Sequence, residues 1–220
     1  MKFEIDNVEL YFKNKRILNG IYLRAETGTV TGILGSNGCG KSCLLDIIFG
    51  NITPKYKLIR IDDTPILKSL YATGRVKYLP QYDLAPNNFK LKSVFKNYEV
   101  SWSEFSERFP DFAKYNNYKT KQLSGGERRL VELYITLKSP SELVLLDEPF
   151  THLAPIHIDS VKQLIEQEKK SKAIIITDHY YQHIIEMSDS IYLLKNGCTK
   201  LVENLLELED YKYLSEGSLS

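Results

Sequence analysis

The chain has 220 residues, of which 43% are hydrophobic and 26% charged, and its formal net charge is +1. These values are typical of a globular domain large enough to bury its own core without disulfides or metals. The near-neutral charge argues against a protein that holds nucleic acid or anionic lipid by bulk electrostatics, so no nucleic-acid partner is expected.

The cysteine content and the hydropathy indicate the cellular compartment of the protein. The three cysteines, Cys39, Cys43 and Cys198, show no disulfide framework, which favours a reducing compartment. No apolar run approaches the ~18 residues that a membrane span needs. The N-terminal segment contains acids and lacks the apolar run of a signal peptide. We expect a cytoplasmic protein without direct membrane insertion, so that any membrane role depends on a partner.

Strand-like runs open the chain, and helical patterns separate the later ones. This alternation predicts an α/β fold with a mostly parallel sheet and helices on its faces, preceded by a β-rich N-terminal part. The predicted strands are 3–12, 21–25, 29–34, 57–61, 75–79, 143–146, 173–177 and 191–194, and the predicted helices are 42–49, 127–137 and 158–170.

Residues of about 83–122 break this rhythm, because they are rich in Tyr, Phe, Asn, Lys and Ser and contain no clear strand. They predict a small, mostly helical insert. We expect a single domain over 1–220, with a core of about 1–82 and 136–220 and a helical subdomain of about 83–135. The last residues, 216–220, are expected to fray.

The segment 35–42, the phosphate loop, matches the pattern G-x-x-x-x-G-K-[ST]. Its glycines let successive N–H groups point at one anion, and the helix that follows adds its positive N-terminal end. Lys41 can reach the β- and γ-phosphates of a nucleotide, and the Ser42 hydroxyl can bind Mg²⁺. The candidate nucleotide-binding residues here are Gly35, Ser36, Asn37, Gly38, Cys39, Gly40, Lys41 and Ser42.

Two carboxylates follow the apolar run 143–146. A strand this apolar is typical of the interior of a sheet, and its carboxyl end meets the crevice where such sheets bind ligands. Asp147 can hold the Mg²⁺ there. Glu148 is the next residue, so its side chain points in a different direction from that of Asp147, and it is a candidate general base for an attacking water.

The sequence Leu-Ser-Gly-Gly-Glu at 123–127, the signature segment, lies between these two motifs. Ser124 is a good N-cap for the helix that begins nearby, and together with Gly125 and Gly126 it forms a second anion-binding helix end. With the phosphate loop upstream and the strand-Asp-Glu downstream, the chain resembles the ATP-binding cassette (ABC) ATPases over nearly its whole length. The resemblance implies the P-loop NTPase fold, with ATP and Mg²⁺ as the bound groups.

Further site residues follow from the resemblance. Gln81 matches the family's Q-loop glutamine, which contacts Mg²⁺ or the attacking water. His179 matches the switch histidine, which contacts the γ-phosphate. An aromatic residue near the N-terminus stacks on adenine in the family, and the candidates here are Tyr11 and Phe12. Phe12 is favoured, and we expect the other of the pair to pack in the core.

One position departs from the family pattern, since Ala154 replaces the Asp that helps to join the two protomers' sites. Glu148 and His179 are both present, so a Mg²⁺-dependent ATPase is still expected. The resemblance further implies that two cassettes pair head to tail, with ATP between Lys41 of one and Ser124 of the other. We expect a homodimer.

The leading hypothesis is the ATP-hydrolysing subunit of a transporter, held on the cytoplasmic face of the membrane by transmembrane partner subunits. The motif surroundings are most similar to the subgroup that powers lipopolysaccharide export and branched-chain amino-acid uptake. The alternative is an ABC ATPase without a membrane partner, of the iron–sulfur-assembly type. Aromatic residues of the insert are candidates either for a docking groove or for its own core: Tyr82, Phe89, Phe95, Trp102, Phe105 and Phe109.

Overall fold

The computed structural model describes residues 1–215 and 217–218. The remaining residues of the end for which fraying is expected, 216, 219 and 220, lie outside this description. Within the described chain, no helix combines the length and the apolarity required to cross a bilayer.

A six-stranded sheet forms the centre of the molecule, in the order β10-β9-β3-β8-β7-β6. All pairs among β6, β7, β8, β3 and β9 are parallel, and β10 runs antiparallel to β9. β3, β7 and β8 are buried along their whole length, as expected for parallel strands covered on both faces. The strands are β3 (Val30–Leu34), β6 (Val76–Leu79), β7 (Leu143–Asp147), β8 (Ala173–Thr177), β9 (Ser190–Lys195) and β10 (Cys198–Val202).

A second, antiparallel sheet has the order β2-β1-β4-β5. Its apolar face packs with the first helix, α1, on one side of the central sheet. The strands are β1 (Lys2–Phe12), β2 (Lys15–Glu26), β4 (Tyr56–Ile61) and β5 (Thr64–Pro65). The α/β class with a mostly parallel sheet and an antiparallel N-terminal part is confirmed.

Side chains of β7 alternate between the two faces of the central sheet. Leu143 and Leu145 pack with α1 and the antiparallel sheet, whereas Val144 and Leu146 pack with the later helices. Leu44 and Ile48 are among the α1 residues that meet the first set. The α-helices are α1 (Lys41–Phe49), α2 (Leu91–Asn97), α3 (Trp102–Arg108), α4 (Gly125–Lys138), α5 (Pro155–Glu168), α6 (Tyr181–Met187) and α7 (Glu207–Asp210).

The segment after β6 contains α2, α3 and short 3₁₀ turns, as the composition of 83–122 predicts. Its aromatics form a cluster around Phe105, whose ring centroid lies 5.1 Å from that of Phe95 and 4.9 Å from that of Tyr134 in α4. Phe95, Phe105 and Phe109 are therefore core residues, while Tyr82 and Phe89 are exposed. The subdomain limits of 83–135 stay a prediction.

Candidate functional site

Four loops meet at one edge of the central sheet, because β3, β6, β7 and β8 are parallel and end there. The phosphate loop follows β3, Gln81 follows β6, Glu148 follows β7 and His179 follows β8. Together they border a cavity of about 670 Å³. The cavity is lined by Phe12, Ile17, Asn37, Gly38, Gly40, Lys41, Ser42, Cys43, Gln81, Glu148 and His179.

The phosphate loop is wound tightly around the ammonium group of Lys41. Lys41 is almost wholly buried, and its Nζ donates to the carbonyl oxygen of Gly35 at 2.6 Å. Gly40 has a φ of +111°, and a Cβ there would lie 2.9 Å from Leu18 Cδ2, so only glycine fits. The loop places a cation and the N-terminus of α1 at the cavity, which is the arrangement that binds phosphates.

Asp147, at the end of β7, has a nearly inaccessible carboxylate that joins several polar groups. Thr177 Oγ1 donates to its Oδ1 at 2.7 Å, and Gln81 Nε2 donates to Oδ1 at 3.3 Å and to Ser42 Oγ at 2.9 Å. Ser42, Gln81 and Asp147, predicted as metal residues, are thus brought together. A carboxylate, a hydroxyl and an amide are oxygen donors that fit Mg²⁺, which prefers one or two carboxylates together with substrate phosphates.

Tyr78 in β6 supports this group, with its hydroxyl 3.5 Å from Asp147 Oδ2. Burial, and then the charge of Asp147, raise the pKa of the Tyr78 phenol well above its ordinary value. The phenol therefore keeps its proton and can donate it in a hydrogen bond to the carboxylate.

Glu148 has a left-handed backbone, with a φ of +49°. Its N–H donates to the carbonyl oxygen of Thr177 at 2.9 Å, which ties the end of β7 to the end of β8. His179 Nδ1 lies 3.6 Å from Glu148 Oε2 and 3.4 Å from Thr151 Oγ1. The carboxylate and the imidazole therefore face the same cavity and can act on one water.

Asp178 fixes the two loops that hold Glu148 and His179. Its buried carboxylate accepts hydrogen bonds from the N–H groups of Phe150, at 3.3 Å, and Tyr180, at 2.9 Å. Burial raises the pKa of the Asp178 carboxyl, while the two amide donors oppose this shift. The site's loops are thereby held by a group that the sequence reasoning did not identify.

Of the two aromatic candidates, only Phe12 lines the cavity. Tyr11 instead donates from its hydroxyl to Glu9 Oε1 at 2.6 Å, and Lys55 Nζ lies 5.5 Å from its ring centroid. Tyr11 is 37% exposed, so the expectation that it packs in the core is wrong. The alternation along β1 separates the two rings, and the bulge before Tyr11 shifts the register there.

The signature segment forms the exposed N-terminus of α4. Ser124 and Glu127 make a capping box, in which Glu127 N–H donates to Ser124 Oγ at 3.3 Å and Ser124 N–H donates to Glu127 Oε2 at 2.7 Å. A Cβ on Gly126 would lie 2.6 Å from the carbonyl oxygen of His152, whereas one on Gly125 would meet nothing within 4 Å. Ser124, Gly125 and Gly126 are not among the residues that line the described cavity.

The loop after Glu148 runs past Ala154, which is exposed and precedes Pro155 at the start of α5. Ala154 has no side-chain oxygen, and α5 begins without a side-chain cap. The first turn of α5 is thus without a side-chain hydrogen bond from its N-cap residue.

Sequence reasoning also missed Thr177 and Arg129. Thr177 ends a strand that reads as apolar, and its hydroxyl function shows only through the contact with Asp147. Arg129 resembles a surface charge on a helix, yet its guanidinium is buried and donates to the carbonyl oxygens of Pro80 and Asp147. The one available signal was the position of Arg129 two residues after the signature segment.

The chain is similar to known proteins in both sequence and structure. The profile of the family described as ABC transporter matches residues 18–151. The lipopolysaccharide export system ATP-binding protein LptB of Escherichia coli K12 is 30% identical over 210 residues, which cover 87% of this chain and 86% of that protein. The Nod factor export ATP-binding protein I of Burkholderia lata is 28% identical over 207 residues, covering 87% of this chain and 67% of that protein.

Two solved structures share the fold. An ATP-binding subunit of an ABC transporter has a TM-score of 0.81 at 20% identity, and the match covers 100% of this chain and 96% of that one. A bacterial Atm1-family ABC exporter with ATP bound has a TM-score of 0.75 at 21% identity, covering 96% of this chain and 40% of that one. At these identities the similarity concerns the fold alone.

Proposed function

Because the chain belongs to the ABC transporter family of ATP-binding proteins, we propose that it binds and hydrolyses Mg²⁺-ATP in the cavity at the edge of the central sheet. The observation that carries the proposal is the convergence of the phosphate loop, Gln81, Asp147, Glu148 and His179 at that edge. Hydrolysis drives transport through membrane partner subunits, in keeping with relatives named as export ATP-binding proteins.

The two ends of the cavity bind different parts of the nucleotide. The Phe12 ring, half exposed, offers a stacking face for adenine. At the other end, the N–H groups of the phosphate loop and α1 receive the phosphates. Lys41 exchanges its hydrogen bond to the neutral Gly35 carbonyl for one to a phosphate oxygen, in which donor and acceptor carry opposite charges.

Ser42, Asp147 and Gln81 are the residues that would hold Mg²⁺. When bound, the ion would supply positive charge that offsets the charge on the β- and γ-phosphates. The Gln81 amide donates to Ser42 and Asp147, and its oxygen would be a neutral ligand for the ion. Thr177 and Tyr78 keep the Asp147 carboxylate in place through their hydroxyls.

Glu148 acts as the general base for the water that attacks the γ-phosphate. The buried end of β7 and the hydrogen bond from Glu148 N–H to the Thr177 carbonyl oxygen fix the backbone of Glu148, and with it the direction in which its side chain projects. His179, 3.6 Å from Glu148 Oε2, contacts the γ-phosphate and helps to order the water. Thr151 orients the imidazole ring.

The complete site requires a second cassette, in a homodimer. Ser124 and Gly125 are exposed at the N-terminus of α4 and do not line the cavity of their own chain. A second copy, paired head to tail, brings its signature segment to the phosphates held by the first. Two helix N-termini then face one polyanion.

The subunit is held at the cytoplasmic face of the membrane by docking. Tyr82 is 63% exposed and Phe89 is 45% exposed, whereas Phe95, Phe105 and Phe109, further along the chain, are buried. Exposed aromatic side chains are typical of binding surfaces. Tyr82 also directly follows Gln81, so a partner at this surface can sense the nucleotide site.

The direct test of this proposal is Mg²⁺-dependent release of phosphate from ATP by the purified chain with its copurified membrane proteins. The wild type should turn over ATP, and Glu148→Gln should bind ATP with little turnover. Recovery of multi-span membrane proteins in a pull-down from solubilised membranes should accompany this. Absence of turnover by the wild type would overturn the enzymatic proposal, and turnover with no membrane protein recovered would favour an ABC ATPase without a membrane partner.

A further inference from the structure

Two adjacent arginines in the first turns of α4 are almost wholly buried, and they contact different groups. The Arg128 guanidinium pairs with Glu132, at 3.0 Å, and with Asp83, at 2.7 Å. Glu132 in turn accepts the N–H groups of Leu84 and Ala85. Arg128 therefore fastens the loop that follows Gln81 onto α4.

Arg129 binds backbone carbonyl oxygens instead. Its Nη1 donates to Pro80 at 2.5 Å, and its Nη2 donates to Asp147 at 2.6 Å and to Glu148 at 3.0 Å. No carboxylate of the described residues lies within ion-pair distance of it. Burial lowers the pKa of the Arg129 guanidinium, and Glu132 and Asp147 oppose this shift at longer range. A buried cation without an ion pair is costly, so these three contacts carry its stabilisation.

The three carbonyls belong to positions that matter for the proposed chemistry. Pro80 immediately precedes Gln81, Asp147 is the proposed metal ligand and Glu148 is the proposed base. Glu148 also has a left-handed φ, a conformation that persists only where its surroundings hold it. The hydrogen bond to its carbonyl oxygen is one of the contacts that does so.

We propose that Arg129 is a positioning residue for ATP hydrolysis. It holds the backbone at Pro80, Asp147 and Glu148 in a fixed position relative to α4. The inference rests on the proposed ATPase function. Arg129 sets the direction of the Glu148 carboxylate through the backbone and does not touch the nucleotide. Among the described residues, Phe12 and those of the phosphate loop exchange no hydrogen bond or ion pair with Arg129, so we expect the ATP-binding surfaces to keep their geometry without it.

The test separates kcat from ATP affinity in Arg129→Met and Arg129→Lys. A misplacement of about 1 Å costs up to about 100-fold in rate, so Arg129→Met should lower kcat by about 10- to 100-fold. Its Kd for ATP should stay within about twofold, because uniform binding is untouched. Lysine supplies one cationic donor group in place of the fork, so Arg129→Lys should recover part of kcat.

Lys172 provides the control, since it too is a buried cation that donates to carbonyl oxygens at α4, namely those of Leu137 and Ser139, although it also pairs with Glu168 at 2.8 Å. These carbonyls lie at the far end of α4 from the signature segment. Lys172→Met should lower thermal stability and leave kcat per folded molecule unchanged. A purely structural Arg129 would behave in the same way.

Several results would overturn the proposal. They are a kcat of Arg129→Met within twofold of the wild type, a parallel loss of affinity and kcat, or no difference from Lys172→Met. Should Arg129→Met fail to fold, Arg129→Lys decides alone, since at wild-type stability and affinity it must still show a reduced kcat. Wild-type chain assayed beside the variants separates this outcome from a failure of the ATPase proposal, in which the wild type is itself inactive.

Discussion

Gly126 and Gly125 offer a matched pair of substitutions at the start of α4. In Gly126→Ala the new Cβ lies 2.6 Å from the carbonyl oxygen of His152, so the loop or the helix must retreat by about 0.8 Å to reach the 3.4 Å of ordinary contact. The obstacle is backbone, which has no rotamer to change. His152 already has a φ of +65°, and the neighbouring Thr151 contacts His179, so the displacement reaches the catalytic loop.

The expected loss in free energy of unfolding is worked out from the difference between the two variants. Overpacking of this kind costs about 1–3 kcal/mol, whereas alanine in place of helical glycine gains about 0.5–1 kcal/mol at either position. Because that gain is common to both, Gly126→Ala should be less stable than Gly125→Ala by about 1–3 kcal/mol. In a chain of this size each kcal/mol moves Tm by about 2–4 °C.

Calorimetric melting of both variants beside the wild type measures this difference. Gly125→Ala should melt at or above the wild-type Tm, and Gly126→Ala should melt below both. Equal Tm values for the two variants would refute the reasoning, because they would show that α4 does not press on the carbonyl of His152.

Two further predictions concern nucleotide binding. Phe12→Ala should weaken ATP binding by about 1–3 kcal/mol through loss of the stacking face. Tyr11→Ala should leave the Kd from titration calorimetry within about twofold, since Tyr11 contacts Glu9 and Lys55 instead. Equal losses of affinity in the two variants would contradict this assignment, because they would show that both rings contact the base. Lys41→Ala should abolish measurable ATP binding, because charge-assisted contacts to the phosphates are lost, and retained affinity in the same titration would refute the assignment of the phosphate loop.

The sheet could be predicted from sequence because its central strands are continuous apolar runs. Residues 143–146 and 173–177 carry enough β-branched and leucine side chains to identify strands buried on both faces. β10 was missed because Cys198–Val202 is exposed and mixed in polarity, and its strand form depends on pairing with β9. α6 was missed because Tyr181–Met187 is short and has no side-chain N-cap.

The candidate site was readable where a motif fixes both residue type and position. The phosphate loop, Asp147 and Glu148 belong to this class, and the parallel sheet brings them to one edge. The choice between Tyr11 and Phe12 needed the register of β1, which local sequence does not determine. Arg129 could not be predicted, since its three acceptors are backbone carbonyls that come from distant parts of the chain.

The central claim is that each nucleotide site is completed by the signature segment of a second copy of the chain. The most direct measurement is the mass in solution of Glu148→Gln with and without saturating Mg²⁺-ATP, by light scattering coupled to size exclusion. Without ATP the mass should be that of one chain. With ATP it should be twice that mass, because the slowed hydrolysis leaves both nucleotides between the two copies. A monomer at saturating ATP, in a variant shown to bind the nucleotide, would contradict the account.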